Sequence, residues 1–319
     1  MQALNLDKTL GYRTDVSRPD PAADQALIRL SLAGICATDL ELLNGYAGFS
    51  GIPGHEFVGR VEAVGDQSHR HWLGRRVVGS INIGCNRCEI CRLHGPEHCP
   101  ERKVLGIRGW PGAFADFLAL PVRNLHAVPD QIPDEAAVFT EPLAAALRVL
   151  EQLRGRAVSA VAVAGPGRLG LLIAKVLAVA GFEVLVLGRS ASSLELPRHW
   201  RLRSALIQDQ PGNGFDCVVD ATGHADGFAQ ALRLVKPRGC LLLKSSFAAN
   251  APVDFSKVVV GEITIAGSRC GPFPEALALL MQGDVPVETM IDGRYSLKDG
   301  LAAFAHAARP GVRKILLSP

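Results

Sequence analysis

The stretch Val158–Ser190 reads VSAVAVAGPGRLGLLIAKVLAVAGFEVLVLGRS, and its punctuation decides the fold. Val158–Ala164 is a continuous apolar run of strand length. Leu169–Ala180 has the length and apolar content of a buried helix, and Glu183–Leu187 is a second apolar run. Strand, helix and strand at this spacing make a βαβ unit with a buried parallel sheet. Between the first strand and the helix, Gly165-Pro166-Gly167-Arg168-Leu169-Gly170 fits G-x-G-x-x-G in the context that gives this pattern its meaning. The glycines allow a tight turn, close approach to a pyrophosphate and close packing of helix on strand, with the phosphates at a helix N-terminus. Gly165, Gly167, Arg168, Leu169 and Gly170 are therefore the expected dinucleotide contacts.

The end of the second strand bears on which dinucleotide binds. An NAD site carries an acid there for the ribose hydroxyls. Here Leu187 is followed by Gly188-Arg189-Ser190, with no carboxylate. Gly188 would leave room for a 2′-phosphate, Arg189 would pair with it and Ser190 would donate to it. The pattern predicts NADP(H) in preference to NAD(H). Stacking of Arg189 on adenine is the alternative.

Outward from this unit, Asp216–Asp220, Cys240–Lys244 and Ile263–Gly267 read as further strands, with a helix at Ala225–Val235. The first 140 residues differ, with short alternating segments at Gln25–Leu32, Phe57–Val64 and Arg76–Ile83 between Gly and Pro punctuation. A helix at Pro274–Met281 and a strand at Lys314–Leu317 close the chain. At 319 residues, two domains or one large α/β unit are expected. Composition is globular, with 48% hydrophobic and 20% charged residues, which excludes disorder. A net charge of +3 without a basic run gives no case for nucleic acid or an anionic membrane. Leu169–Leu187 is broken by Lys175, Gly181 and Glu183, so no transmembrane span is expected. The N-terminal residues show no secretory pattern, and a cytoplasmic location is the default expectation.

Cys85, Cys88, Cys91 and Cys99 make C-x2-C-x2-C-x7-C. Four thiolates on one short loop match a closed tetrahedral zinc site, which has a structural role because no position is open. An iron–sulfur cluster is the rival, and Pro100 after the last cysteine fits it, but the final spacer is longer than in ferredoxin-type runs. A nucleic-acid zinc ribbon is disfavoured, because stacking aromatics are missing around the loop.

Cys36, His55, Glu56 and Glu141 are unremarkable one at a time: a core cysteine, a satisfied histidine, acids at element starts. Together with the four-cysteine lobe and the glycine turn, in this order, the chain resembles the zinc-containing medium-chain dehydrogenase/reductase family, with its alcohol, polyol and threonine dehydrogenases. The resemblance covers nearly the whole chain. It implies a GroES-like β-rich catalytic domain at 1–141 and 269–319 and a Rossmann domain at 142–268, an α/β architecture with the active site between them. It implies that Cys36 and His55 bind a catalytic zinc, making two zincs per chain. A glutamate at the position of Glu141 resembles the polyol and threonine branches, and Glu56 matches an acid that binds the metal in some states and lies behind it in others. A thiolate with two bound carboxylates would over-neutralise Zn²⁺, so Glu56 and Glu141 are expected to alternate or share through water.

The resemblance further implies hydride transfer between an alcohol or polyol, or its carbonyl form, and the nicotinamide. Thr38 matches a relay hydroxyl and Asp39 an acid that orients the zinc-bound histidine. Glu41 stands where many members carry the histidine that ends the relay. Arg313 matches an arginine that reaches the pyrophosphate, and Phe49 and Trp110 are candidate pocket walls. Family members pair through Rossmann sheet edges, which implies a homodimer or homotetramer. A zinc-free quinone-type reductase is the enzymatic alternative, and a nucleotide-binding sensor or structural protein without turnover is the other. The chain departs from the family at Gly65–Gly74 and Gly188–Phe215, both trimmed. Pro197 should interrupt the helix after the second strand, and Ala205–Gln208 is a short candidate third strand. The few residues from Gln208 to Phe215 leave no room for the usual helix between the third and fourth strands.

Overall fold

The computed structural model describes residues 1–245 and 252–319. These residues form two compact units. One is Met1–Glu141 with Ala276–Gly283 and Val287–Pro319, and the other is Pro142–Glu275 with Asp284–Pro286. The second unit thus runs past the residue 268 expected from sequence.

In the second unit six parallel strands form one sheet. Ala160–Ala164 lies between Glu183–Gly188 and Phe215–Asp220. Arg203–Leu206 is the edge on the first side, and Val235–Leu243 then Thr264–Gly267 complete the other. Numbered by sequence the order is 3-2-1-4-5-6, which reverses between the first and fourth strands. Ligands of open α/β sheets bind beyond the carboxyl ends of the strands at such a point. The central strand is fully buried from Val161 to Ala164, which is why it reads as an unbroken apolar run. The helix Ala225–Leu234 covers one face with Phe228, Ala231 and Leu232, at helical spacing, against Ala162, Val218 and Leu241.

The trimmed stretch is as short as its spacing implies. A single 3-10 turn, Ile207–Asp209, precedes the strand Phe215–Asp220, and the backbone N–H groups of Asn213 and Gly214 donate to the carbonyls of Arg233 and Leu234. Pro197 behaves differently from expectation. It sits in the first turn of the five-residue helix Glu195–His199, where its missing N–H has no intrahelical acceptor to lose. It therefore helps to start a helix instead of interrupting one. The third strand begins at Arg203, slightly earlier than expected.

The first unit is built on a seven-stranded sheet. Its spine is the long strand Gln25–Ile35, which pairs antiparallel with Glu56–Val64 on one side and Lys314–Ser318 on the other. Gly34 faces Glu56 across one pairing and Leu316 across the other. This register brings together the end of the first strand and the starts of the other two. A separate three-stranded sheet of Asn82–Ile83, Lys103–Leu105 and Gly109–Trp110 flanks the cysteine-bearing loop. No helix among the described residues is long and apolar enough to cross a membrane.

Candidate active site

Cys36 caps the helix Ala37–Leu43 that follows the spine strand, with extended backbone. Asp39, in the first turn, accepts the Cys36 backbone N–H through Oδ2 at 2.8 Å. Its other oxygen, Oδ1, lies 3.3 Å from Nδ1 of His55. One fully buried carboxylate therefore ties the cysteine backbone to the histidine ring. His55 enters from Gly54, whose φ of +99° is a left-handed value that favours glycine, and a Cβ there would stand 2.7 Å from the Phe114 ring. That packing fixes where the next residue points.

The ligand atoms of Cys36, His55 and Glu56 all lie within 4.8 Å of one another. Burial pushes His55 down, yet the Asp39 carboxylate, reinforced by Cys36, outweighs it and holds the imidazole well above its ordinary range. An environment that draws a proton onto a buried ring also draws a metal cation. With Nδ1 turned to Asp39, Nε2 is the nitrogen left for a ligand. Sulfur, nitrogen and carboxylate oxygen around one point suit zinc, and the residues fit the ion that the sequence implies. Glu141 stands outside this donor group, half-buried in the first turn of the helix Thr140–Leu153. Thr38 is half-buried, with Oγ1 at 3.9 Å from the Cys36 sulfur. Glu41 is exposed one turn further along the same helix.

The four cysteines of the lobe also converge within 4.8 Å. Cys85 and Cys91 sulfurs are 4.0 Å apart. Tetrahedral zinc with Zn–S bonds near 2.3 Å sets its sulfurs about 3.8 Å apart. A multi-iron cluster would hold the thiolates wider, so the geometry fits a single ion. Backbone N–H groups of Cys85 and Cys91 donate to the sulfurs of Cys99 and Cys88, at 3.5 and 3.4 Å. Amide donors at Arg87 and Cys88 pull the Cys85 thiol down to about 6, while desolvation pushes Cys91 up to about 12.

At the cofactor turn, each glycine has its own reason. Gly165 has φ +96° and a Cβ there would stand 2.6 Å from the Ala221 carbonyl oxygen. Gly170 packs so tightly that a Cβ would overlap the Gly165 carbonyl. Around Gly167, which caps the helix Arg168–Val179, a Cβ would meet nothing within 4 Å. That open space in front of backbone N–H groups suits a phosphate. Leu169 is half-buried in the first turn, beside Arg168.

Gly188 does not leave the room expected of it. A Cβ there would collide with the Ser193 hydroxyl and stand 2.7 Å from Leu194, so the glycine serves the turn's own packing. Arg189 and Ser190 are exposed. The Ser190 hydroxyl is 3.0 Å from that of Ser192 and accepts the Ser193 N–H at 3.3 Å. Arg313 is held on its own unit, with its guanidinium 3.7 Å from Asp292. The indole N–H of Trp110 donates to the Ala119 carbonyl at 2.9 Å, a structural bond for a residue expected to line a pocket. One residue was missed: Lys314, whose ammonium donates to Glu56 Oε2. Its only sequence signal is a lysine opening an otherwise apolar strand.

Comparison with known proteins agrees along the whole chain. Residues 22–130 match the alcohol dehydrogenase GroES-like domain, and residues 169–282 match the zinc-binding dehydrogenase domain. The chain is 30% identical to the erythritol/L-threitol dehydrogenase of Mycolicibacterium smegmatis, over 94% of this chain and 92% of that protein. It is 31% identical to an L-threonine 3-dehydrogenase of Streptomyces coelicolor, over 96% and 95%. A Sinorhizobium meliloti protein described as a zinc-binding dehydrogenase, solved bound to NADP, superposes with a TM-score of 0.90 at 26% identity, covering 100% and 99% of the two chains. With GroES-like and dinucleotide-binding domains matched in order, the chain belongs to the zinc-containing medium-chain dehydrogenase/reductase family of oxidoreductases.

Proposed function

We propose that this chain transfers a hydride between an alcohol or polyol, or the corresponding carbonyl, and a nicotinamide cofactor, with zinc at Cys36, His55, Glu56 and Glu141. The carrying observation is the convergence of the Cys36, His55 and Glu56 donors beside a buried orienting Asp39. A bound zinc ion supplies Lewis acidity, which lowers the pKa of a substrate hydroxyl or polarises a carbonyl. In the oxidative direction the carbinol carbon gives a hydride to the nicotinamide, and the hydroxyl proton leaves separately. Thr38, beside Cys36, takes that proton at Oγ1 as its own hydroxyl proton is released, and the exposed Glu41, three residues on, accepts the released proton and passes it to water. Asp39 keeps the His55 ring aligned throughout. The relatives named for erythritol and L-threonine favour a small polyol or amino alcohol. A substrate panel followed by nicotinamide absorbance, with and without a chelator, tests this. Turnover unaffected by complete metal removal would point to the zinc-free alternative, and tight NADPH binding without turnover to the silent one.

The cofactor reading is NADP(H), bound at the glycine turn, with Arg189 facing the 2′-phosphate. The support is the exposed arginine just past the strand and the missing carboxylate in Gly188–Ser190. Arg189→Ala should lower kcat/KM for NADPH about 10- to 100-fold, the worth of one or two charge-assisted hydrogen bonds, and leave NADH nearly unchanged. Equal kcat/KM for the two cofactors in the parent protein would refute the preference. A homodimer or homotetramer is the expected assembly. Thr264–Gly267 is a sheet edge, and Phe255, Val259 and Val260 beside it in sequence are more than 70% exposed. A monomer at micromolar concentration in sedimentation equilibrium would rule this out.

A further inference from the structure

Lys314 and Glu56 form a buried ion pair between residues at opposite ends of the chain. Lys314 is 2% exposed and Glu56 1%. The ammonium also lies 5.3 Å from the centre of the Phe139 ring, a cation–π contact. Neither charge would persist there alone, since an unpaired buried ion is costly. The fold makes room for the pair. A Cβ on Gly34 would stand 2.5 Å from Glu56 Oε2 and 3.3 Å from Lys314 Cδ. Only the register of the three central strands brings these residues together.

Glu56 has a second allegiance, because it belongs to the donor group with Cys36 and His55. One carboxylate charge is thus sought from two sides, and an ammonium on Oε2 repels a metal cation drawn to the same group. We propose that Lys314 is a positioning residue that withholds Glu56 from full ligation. It occupies Oε2, limits Glu56 to its other oxygen, and offsets its charge so that the ion is not over-neutralised by thiolate and carboxylates. The inference rests on the zinc reading above.

The test uses the full chain loaded with cobalt(II) as a spectroscopic stand-in for zinc. Cys36→Ser identifies the absorption bands that belong to this site. If that variant leaves every band in place, the zinc reading itself fails. If the bands are assigned, Lys314→Met should alter them and hold the ion about tenfold tighter or more in chelator competition. Lys314→Arg should restore the parent spectrum and affinity. Lys314→Gln, which keeps a donor without the charge, carries the same expectation as methionine should the latter not fold. In a Glu56→Gln background, Lys314→Met should add nothing. Unchanged or weaker binding in the methionine or glutamine variant, or a gain that persists without Glu56, would overturn the inference.

Discussion

Cys36→Ser should lower kcat/KM by at least about 10³-fold while leaving the thermal midpoint within a few degrees of the parent. The cysteine is half-buried, and its short bonds run through its backbone, while its sulfur adds only the 3.9 Å contact to the Thr38 hydroxyl. Asp39 accepts its N–H, and its carbonyl accepts the Asp39 N–H at 3.2 Å. Serine retains both. What it loses is the thiolate that, on the proposed function, would anchor the ion on one side of His55 and Glu56. A hydroxyl is a poor ligand at neutral pH, so metal analysis should fall from about two zincs per chain to about one. The asymmetry between activity and stability is the informative part. A variant that kept both zincs and most of its activity would remove Cys36 from the centre. A variant that lost activity only because it unfolded would show a collapsed melting curve, and the two are separable in one preparation.

The second unit was legible because its signals are local. An unbroken apolar run marks a strand buried on both faces, and the glycine spacing that follows it is complete within six residues, Gly165 to Gly170. The lobe was legible for the same reason, since C-x2-C-x2-C-x7-C places four donors on one loop. Elsewhere the deciding information lies in spatial neighbours. Gly188 looked like an opening for phosphate, but Ser193 and Leu194 fold back onto it. Pro197 looked like a break, but its position within the first turn was decided by where the helix starts.

Lys314 shows the limit most plainly. A lysine before Ile-Leu-Leu is ordinary in sequence, and its partner Glu56 is 258 positions away. Their meeting depends on two antiparallel registers against one spine strand, and a shift of one residue in either would send the side chain to the opposite face. The converging side chains Cys36, His55 and Glu56 depend on the same registers. They could be named through the resemblance to the family, but their buried counter-charge could not.

Cys99→Ser should open the lobe and leave the chemistry of the other centre in place. Cys99 is the only fully buried cysteine of the four, and its sulfur accepts the Cys85 N–H. The lobe has little else to hold it. Its helices, Glu89–His94 and Pro96–His98, contribute no buried residue and are too short to stand alone, and Leu93 is 66% exposed. Structural zinc in such small units contributes on the order of 10 kcal/mol to folding, so removing a ligand removes the main restraint. Hydrogen exchange over residues 85–102 should lose its protection, and limited proteolysis should cut there first. One zinc per chain should remain, and the cobalt bands that Cys36→Ser abolishes should persist. The parent should contain no iron and no acid-labile sulfide, which separates a single ion from a cluster. Full protection of the lobe in the variant would mean that packing, not metal, holds it. That outcome would leave the four converging sulfurs without the role their spacing assigns them, and the buried Ile83, Val104 and Leu105 of the flanking strands would carry the lobe instead.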